Sequence, residues 1–197
     1  MVFVLSGCSS DAEKFIGKWN VSIDITDTIN EQFAAEEEVG DYLKVKEFSL
    51  PMIFTFRDDG TYKLEADSDK FSETYDNLIA DFKDGMNKYL EDSIKKTGVD
   101  MTADDLLKSQ GITMDELIDQ AFTEDMFNEM VSSMSAKGNY KVEDGKLYTT
   151  SDESDDFDDD AYDEYKIVSD SEIEFTKSVG TDDEETNKMY PLTLKKR

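Results

Sequence analysis

One thiol, Cys8, and a carboxylate-dense run, Asp152-Glu153-Ser154-Asp155-Asp156-Phe157-Asp158-Asp159-Asp160, are the side chains of this chain best suited to chemistry. The run could gather a hard cation such as Ca²⁺, which takes several carboxylate oxygens. It lacks the Asp-x-Asp-x-Asp-Gly spacing with a distal Glu, and a charge run of this kind reads as a solvated loop. No metal ligand is assigned on it. The chain has no His and no second Cys. That removes Cys/His metal sites, nucleophile–base pairs built on imidazole and any internal disulfide. With 48 acidic residues some carboxylates fall close together by chance, and none is marked as a buried acid–base pair. Neither a Gly-rich phosphate loop nor a Gly-x-Ser-x-Gly elbow occurs. The sequence therefore selects no catalytic residue, no cofactor and no ligand-binding residue, and predicts a protein that is not an enzyme.

The formal net charge of -27 disfavours nucleic acid as a partner, because phosphate binding needs a basic surface. Self-repulsion at this charge favours solubility and predicts a monomer. Hydrophobic residues at 38% still suffice for a core, so the chain reads as folded. No run is long enough to span a bilayer as a helix.

Cys8 closes an apolar segment that ends Leu5-Ser6-Gly7-Cys8, with the polar Ser9-Ser10-Asp11 directly after. These four residues resemble the lipobox of bacterial lipoproteins. The resemblance implies lipidation at Cys8 and anchoring in membrane lipid at the extracellular face of the bacterial cell membrane. No basic stretch precedes the apolar segment, which is shorter than an ordinary signal peptide. Residues 1–14 accordingly read as a signal-peptide remnant, a lipobox and a linker.

Behind these residues stand strands. Trp19, Val21, Ile23 and Ile25 alternate with Asn20, Ser22, Asp24 and Thr26, a half-buried strand of period two. A short helix follows, with Ile29 and Phe33 at helical spacing and Gly40 at its end. Phe48, Leu50, Met52, Phe54 and Phe56 share one parity in the second strand, where Pro51 predicts a bulge or an open edge. Arg57-Asp58-Asp59-Gly60 is a hairpin turn, and Tyr62, Leu64 and Ala66 continue inward. From Phe71 to Ile94 apolar residues follow the i, i+3, i+4 rule of a long amphipathic helix. Thr102, Thr113 and Thr123 then start short helices, Thr113 within a capping box closed by Glu116. Phe122, Met126, Phe127, Met130 and Met134 sit at helical spacing; such a soft apolar surface can accept a partner, but these residues are expected to pack the helices onto each other and onto the barrel mouth. Tyr140 and Val142, Leu147 to Thr149, Tyr165 and Ile167, Ile173 and Phe175, and Tyr190, Leu192 and Leu194 mark five further strands. Ser151 to Ala161 and Gly180 to Glu185 are acidic loops.

Eight strands with hairpin connections predict an antiparallel up-and-down β-barrel, mainly β, with a helical insertion between the third and fourth strands. Gly17-x-Trp19 at the head of strand one, with Phe56-x-x-x-Gly60-Thr61-Tyr62 at the second hairpin, resembles lipocalins and lipocalin-like bacterial lipoproteins. The strand pattern puts this barrel over 15–67 and 137–197, and the helical insertion, residues 68–136, departs from ordinary lipocalins. The resemblance implies that Trp19 plugs the closed end under a basic residue of the last strand, Lys195 or Arg197.

Two functions remain open. In one, the barrel mouth holds a small apolar or amphipathic ligand. In the other, the barrel is filled and the helical insertion docks a protein partner; bulky Trp19, Phe48, Phe54 and Phe56 favour this. Counting strand directions puts every tight turn beside the anchor, with Lys14, Lys18, Lys195, Lys196 and Arg197. The long loops, and with them any ligand or partner, fall at the end far from the anchor.

Overall fold

A computed structural model describes residues 11–36, 38–180 and 187–197. Eight antiparallel strands close a barrel in sequential order, β1 (Gly17–Asp24), β2 (Ser49–Phe56), β3 (Thr61–Ala66), β4 (Ala136–Glu143), β5 (Lys146–Thr149), β6 (Tyr162–Ser169), β7 (Glu172–Val179) and β8 (Leu192–Lys196). Helices precede and interrupt them: α1 (Asp11–Phe15), α2 (Thr26–Ala34), α3 (Ser68–Thr97), α4 (Ala103–Ser109), α5 (Met114–Ala121) and α6 (Glu124–Ser133). The protein is thus mainly β with an α-helical insertion between β3 and β4. The contacts divide it into two compact units. One holds the chain up to Ile23, Pro51–Asp67 and Met134–Arg197; the other holds Asp24–Leu50 and Ser68–Ser133.

In the barrel unit the register follows the period-two pattern. Phe54 faces Leu64 and Phe56 faces Tyr62 across β2 and β3, and Trp19 faces Lys196 across β1 and β8. Tight turns at Arg57–Gly60, Asp144–Gly145 and Asp170–Ser171 share one end with Gly17 and Arg197, as alternating strand directions require. Gly138 is needed where it stands, since a Cβ there would run into the Thr150 carbonyl oxygen. Pro51 lies inside β2 without a bulge on the β3 side. The pairs run unbroken from Met52↔Ala66 to Phe56↔Tyr62, and the Pro51 carbonyl accepts from the Asp67 N–H at 2.8 Å. A proline lacks only its donor, so its acceptor side can still join a ladder. The irregularity falls on β6 and β7, where the register shifts between Glu164 and Tyr165.

Residues expected as linker behave differently. Asp11–Phe15 is helical, and Phe15 is fully buried among Phe56, Tyr165 and Phe175, with ring centroids 5.2, 4.9 and 6.2 Å away. The Trp19 indole N–H donates to the Phe15 carbonyl at 2.6 Å, and the Tyr165 hydroxyl donates to Asp11 at 3.1 Å. Phe15 continues the apolar side of β1 across the kink at Gly17, so burial draws it inward. The basic residue over Trp19 is Lys196, its Nζ 5.2 Å from the ring, and not Lys195 or Arg197. Period two sends Lys195 to the opposite face of β8, while Arg197 lies 3.7 Å from the buried carboxylate of Asp67.

In the helical unit, Leu43, Phe82 and Ile118 form a core with Phe33, Val39, Ile79, Met86, Met114 and Phe122 against it. Thr113 and Glu116 make the capping box that starts α5, and Thr102 with Asp105 makes a second at α4. α2 stops at Ala34, short of Gly40, which lies in the following turn. Segment 24–50 groups with the insertion because Leu43 finds its apolar partners on α3 and α5. No helix among the described residues is long and apolar enough to cross a membrane.

Candidate functional site

The barrel interior has two regions of different character. Around Phe15, aromatic rings fill it: Phe56 packs on Tyr140 at 5.0 Å and on Phe15, and Tyr165 and Phe175 close the group. Phe56 and Phe175 are each 1% exposed. The cluster therefore serves as core, and so does Trp19.

The other region is polar and partly open. Its residues point inward by register, since directly paired residues share a face of the sheet. Asp163 pairs with Leu147, which is 1% exposed, and with Ser178. Phe54 pairs with Leu64, and Thr149 pairs with Tyr140. Although they face inward, Phe54 and Leu64 are only partly buried, and Thr149 is exposed. Solvent thus reaches the interior on this side. The path is set by a short ladder: β5 pairs with β6 at Lys146↔Glu164 and Leu147↔Asp163, after which the chain leaves for the 150–161 loop.

Asp163 is the centre of this region. The Tyr190 hydroxyl donates to its Oδ1 at 2.6 Å, and Ser178 also hydrogen-bonds it. Burial pushes the Asp163 carboxyl above the ordinary range, and the two hydroxyls hold it back only in part. The Asp163 charge in turn acts on two tyrosines. The Tyr190 hydroxyl is raised by burial, then by that charge and by the hydrogen bond. Tyr62 is raised by burial and further by Asp163, while Thr149 acts in the opposite sense. The Tyr62 hydroxyl donates to the Thr150 carbonyl at 3.1 Å, and the Tyr62 ring lies 6.4 Å from Phe54, itself 5.9 Å from Phe175. Two hydroxyls, Tyr190 and Ser178, thus hold one inward carboxylate, and its charge reaches Tyr62. An oriented inward carboxylate can attract a cation and accept hydrogen bonds from it.

The sequence pattern did not reveal this site. Tyr190 reads as strand by parity but precedes β8, and its side chain reaches across to Asp163. Asp163 falls between the acidic loop expected over Ser151 to Ala161 and the strand marked by Tyr165, and is the second residue of β6. The only available signal was parity with Tyr165.

Other predicted residues are placed as follows. Cys8 lies outside the described residues, as does the stretch 181–186. The acidic loop is folded back on the outer barrel wall: Lys141 reaches Asp159 at 3.1 Å and lies 4.3 Å over the Tyr148 ring and 5.2 Å over Phe157. No group of three or more acidic or thiol side chains among the described residues could hold a metal ion. Phe122 packs on Phe82 at 4.2 Å, while Met126 is 57% exposed. Met134 is partly buried, and the side chains of Phe127 and Met130 lie outside those described. The helical unit carries its own cleft of about 590 Å³, lined by Phe71, Tyr75, Asp119 and Phe122 among others. Comparison of the chain with protein-family models, curated proteins and solved structures finds no match in any of the three.

Proposed function

We propose that this is a membrane-anchored surface lipoprotein that binds a small apolar or amphipathic ligand inside its barrel and performs no catalysis on it. The observation that carries the binding reading is the incomplete burial of Phe54 and Leu64, whose side chains face the barrel interior beside a polar cluster. An apolar ligand in the barrel would cover these inward, partly open groups. Anchoring rests on the sequence alone, through Leu5-Ser6-Gly7-Cys8 and the absence of any other thiol. A lipid chain on Cys8 would put the protein on the extracellular face of the membrane and the tight-turn end of the barrel next to it.

The second reading, a protein-interaction module, is supported by the cleft beside Phe71, Tyr75 and Phe122 and by exposed Met126 in the same unit.

Two measurements test the proposal. Native mass spectrometry of protein purified from its own cells should show a retained mass that is lost when Leu64→Trp fills the interior. An unliganded barrel whose affinity for apolar probes is unchanged by that substitution would leave the interaction reading in its place. Cys8→Ser in the full-length precursor should move the protein from the membrane fraction to the soluble one. A variant that stays with the membrane would refute the anchor.

A further inference from the structure

We propose that the barrel ligand carries a cationic amine and that Asp163 is the group that recognises it. This rests on the reading of the barrel as a ligand site and adds the chemical class of the ligand. The first argument is charge balance. Asp163 points into the barrel from β6 by register, and the groups that act on its carboxylate there are hydroxyls, Tyr190 at 2.6 Å and Ser178. Hydroxyls orient a carboxylate but bring no charge. Among the described residues no cation is paired with this inward, partly buried carboxylate, and an inward charge is favoured by a partner of opposite sign. An ammonium entering the barrel would supply that opposite charge.

The second argument is the character of the walls. The Tyr62 side chain feels the Asp163 charge, and its ring packs near Phe54, which is partly open to solvent. Aromatic faces on the same interior as a carboxylate suit a cation with an alkyl body long enough to reach both. The rings hold its C–H surface and attract its charge, and the carboxylate takes the N–H donors. A carboxylate or phosphate ligand would meet repulsion at the same place. The third argument is selection at long range. A chain of net charge -27 concentrates cations at its surface and repels anions before either reaches the barrel.

The ligand class is therefore a small amphipathic amine, with the nitrogen on Asp163 and the apolar part toward Phe54 and Leu64. Tyr190 fixes the carboxylate through Oδ1, which orients the group toward an incoming donor. Lys146 and Lys177 do not compete for it. By register Lys146 and Lys177 both stand opposite Glu164, on the outer face of the sheet, while Asp163 faces inward, and Lys146 lies over the outer Tyr162 ring at 3.9 Å.

The test uses the whole chain purified without its bound lipid and compares three probes of equal chain length, octylammonium, octanol and octanoate, by calorimetry at moderate salt. Octylammonium is expected to bind at a single saturable site and to bind tightest, with octanoate undetectable. Asp163→Asn should weaken octylammonium by about tenfold or more and leave octanol unchanged. Because the wild-type contrast between amine and alcohol needs no variant, a poorly folded Asp163→Asn protein would not obscure the answer. If octanol and octylammonium bind alike, and Asp163→Asn changes neither, the amine assignment is wrong while the barrel site stands. If none of the probes binds at a saturable site, the barrel site itself is refuted and the amine assignment falls with it.

Discussion

Trp19 and Asp163 both point into the barrel, and they contribute to stability in opposite directions. Trp19 is 1% exposed, spends its indole N–H on the Phe15 carbonyl and carries Lys196 over its ring. Its truncation removes core contacts and the seat of α1 together. Trp19→Ala is expected to cost about 3–5 kcal/mol in a urea melt, and a loss below about 1 kcal/mol would remove Trp19 from the core. Asp163 is held above its ordinary pKa by burial. A raised carboxyl means that the folded state binds more protons than the unfolded one in the window between the two values. Below the unfolded value, about 3.9, both states are protonated and the group costs nothing. The cost accrues as pH rises through the raised folded value and is complete above it. Wild type should therefore lose stability relative to Asp163→Asn as pH rises from about 4 to neutrality. Parallel stability–pH curves for the two proteins would show that Asp163 is not desolvated in the fold.

At the scale of elements, the loop between β5 and β6 is held by more than its length suggests. Lys141 bridges Asp159 and lies over Tyr148 and Phe157, and the Asn139 side-chain amide donates to the Glu153 carbonyl at 2.8 Å. A surface ion pair alone contributes about 0–1 kcal/mol, and a cation held over aromatic rings at the surface adds about 0.5–1 kcal/mol. Lys141→Ala should thus leave the global melting transition nearly unchanged while speeding amide exchange across 152–160. Exchange that stays slow there would mean that Thr150 and Asn139 hold the loop without Lys141. The short capped helices α4 and α5 follow the same economy: each start is written locally as Thr with an acidic residue three positions on.

For the whole molecule, the separation into two units makes a definite expectation about excision. β3 and β4 are neighbours, with Leu64 opposite Ala136, so Asp67 can be joined to Met134 by a short turn after removal of 68–133. The shortened chain should keep a buried, blue-shifted Trp19 emission. Segment 24–50 should become the first site of limited proteolysis, because Leu43 loses Phe82 and Ile118. Trp19 emission at the solvent-exposed wavelength would show that the barrel depends on the insertion to fold.

Strand number, strand order and the inserted helices were legible in the chain because each follows from a local period. Alternation marked β1 and β2, and i, i+3, i+4 spacing marked α3. Tight turns between successive strands left sequential antiparallel pairing as the simplest closure. What only the tertiary structure decided are matters of register and of long-range contact. Lys196, not its neighbours, lies over Trp19 because β8 meets β1 with that pair opposed. Phe15 is core because α1 turns back under the barrel, which no period of five residues can announce. Asp163 meets Tyr190 across 27 residues, a contact beyond the reach of any local period. Period-two patterning assigns a face to each residue within a strand. It cannot say which residues of distant strands share the interior, because closure of the barrel sets that geometry.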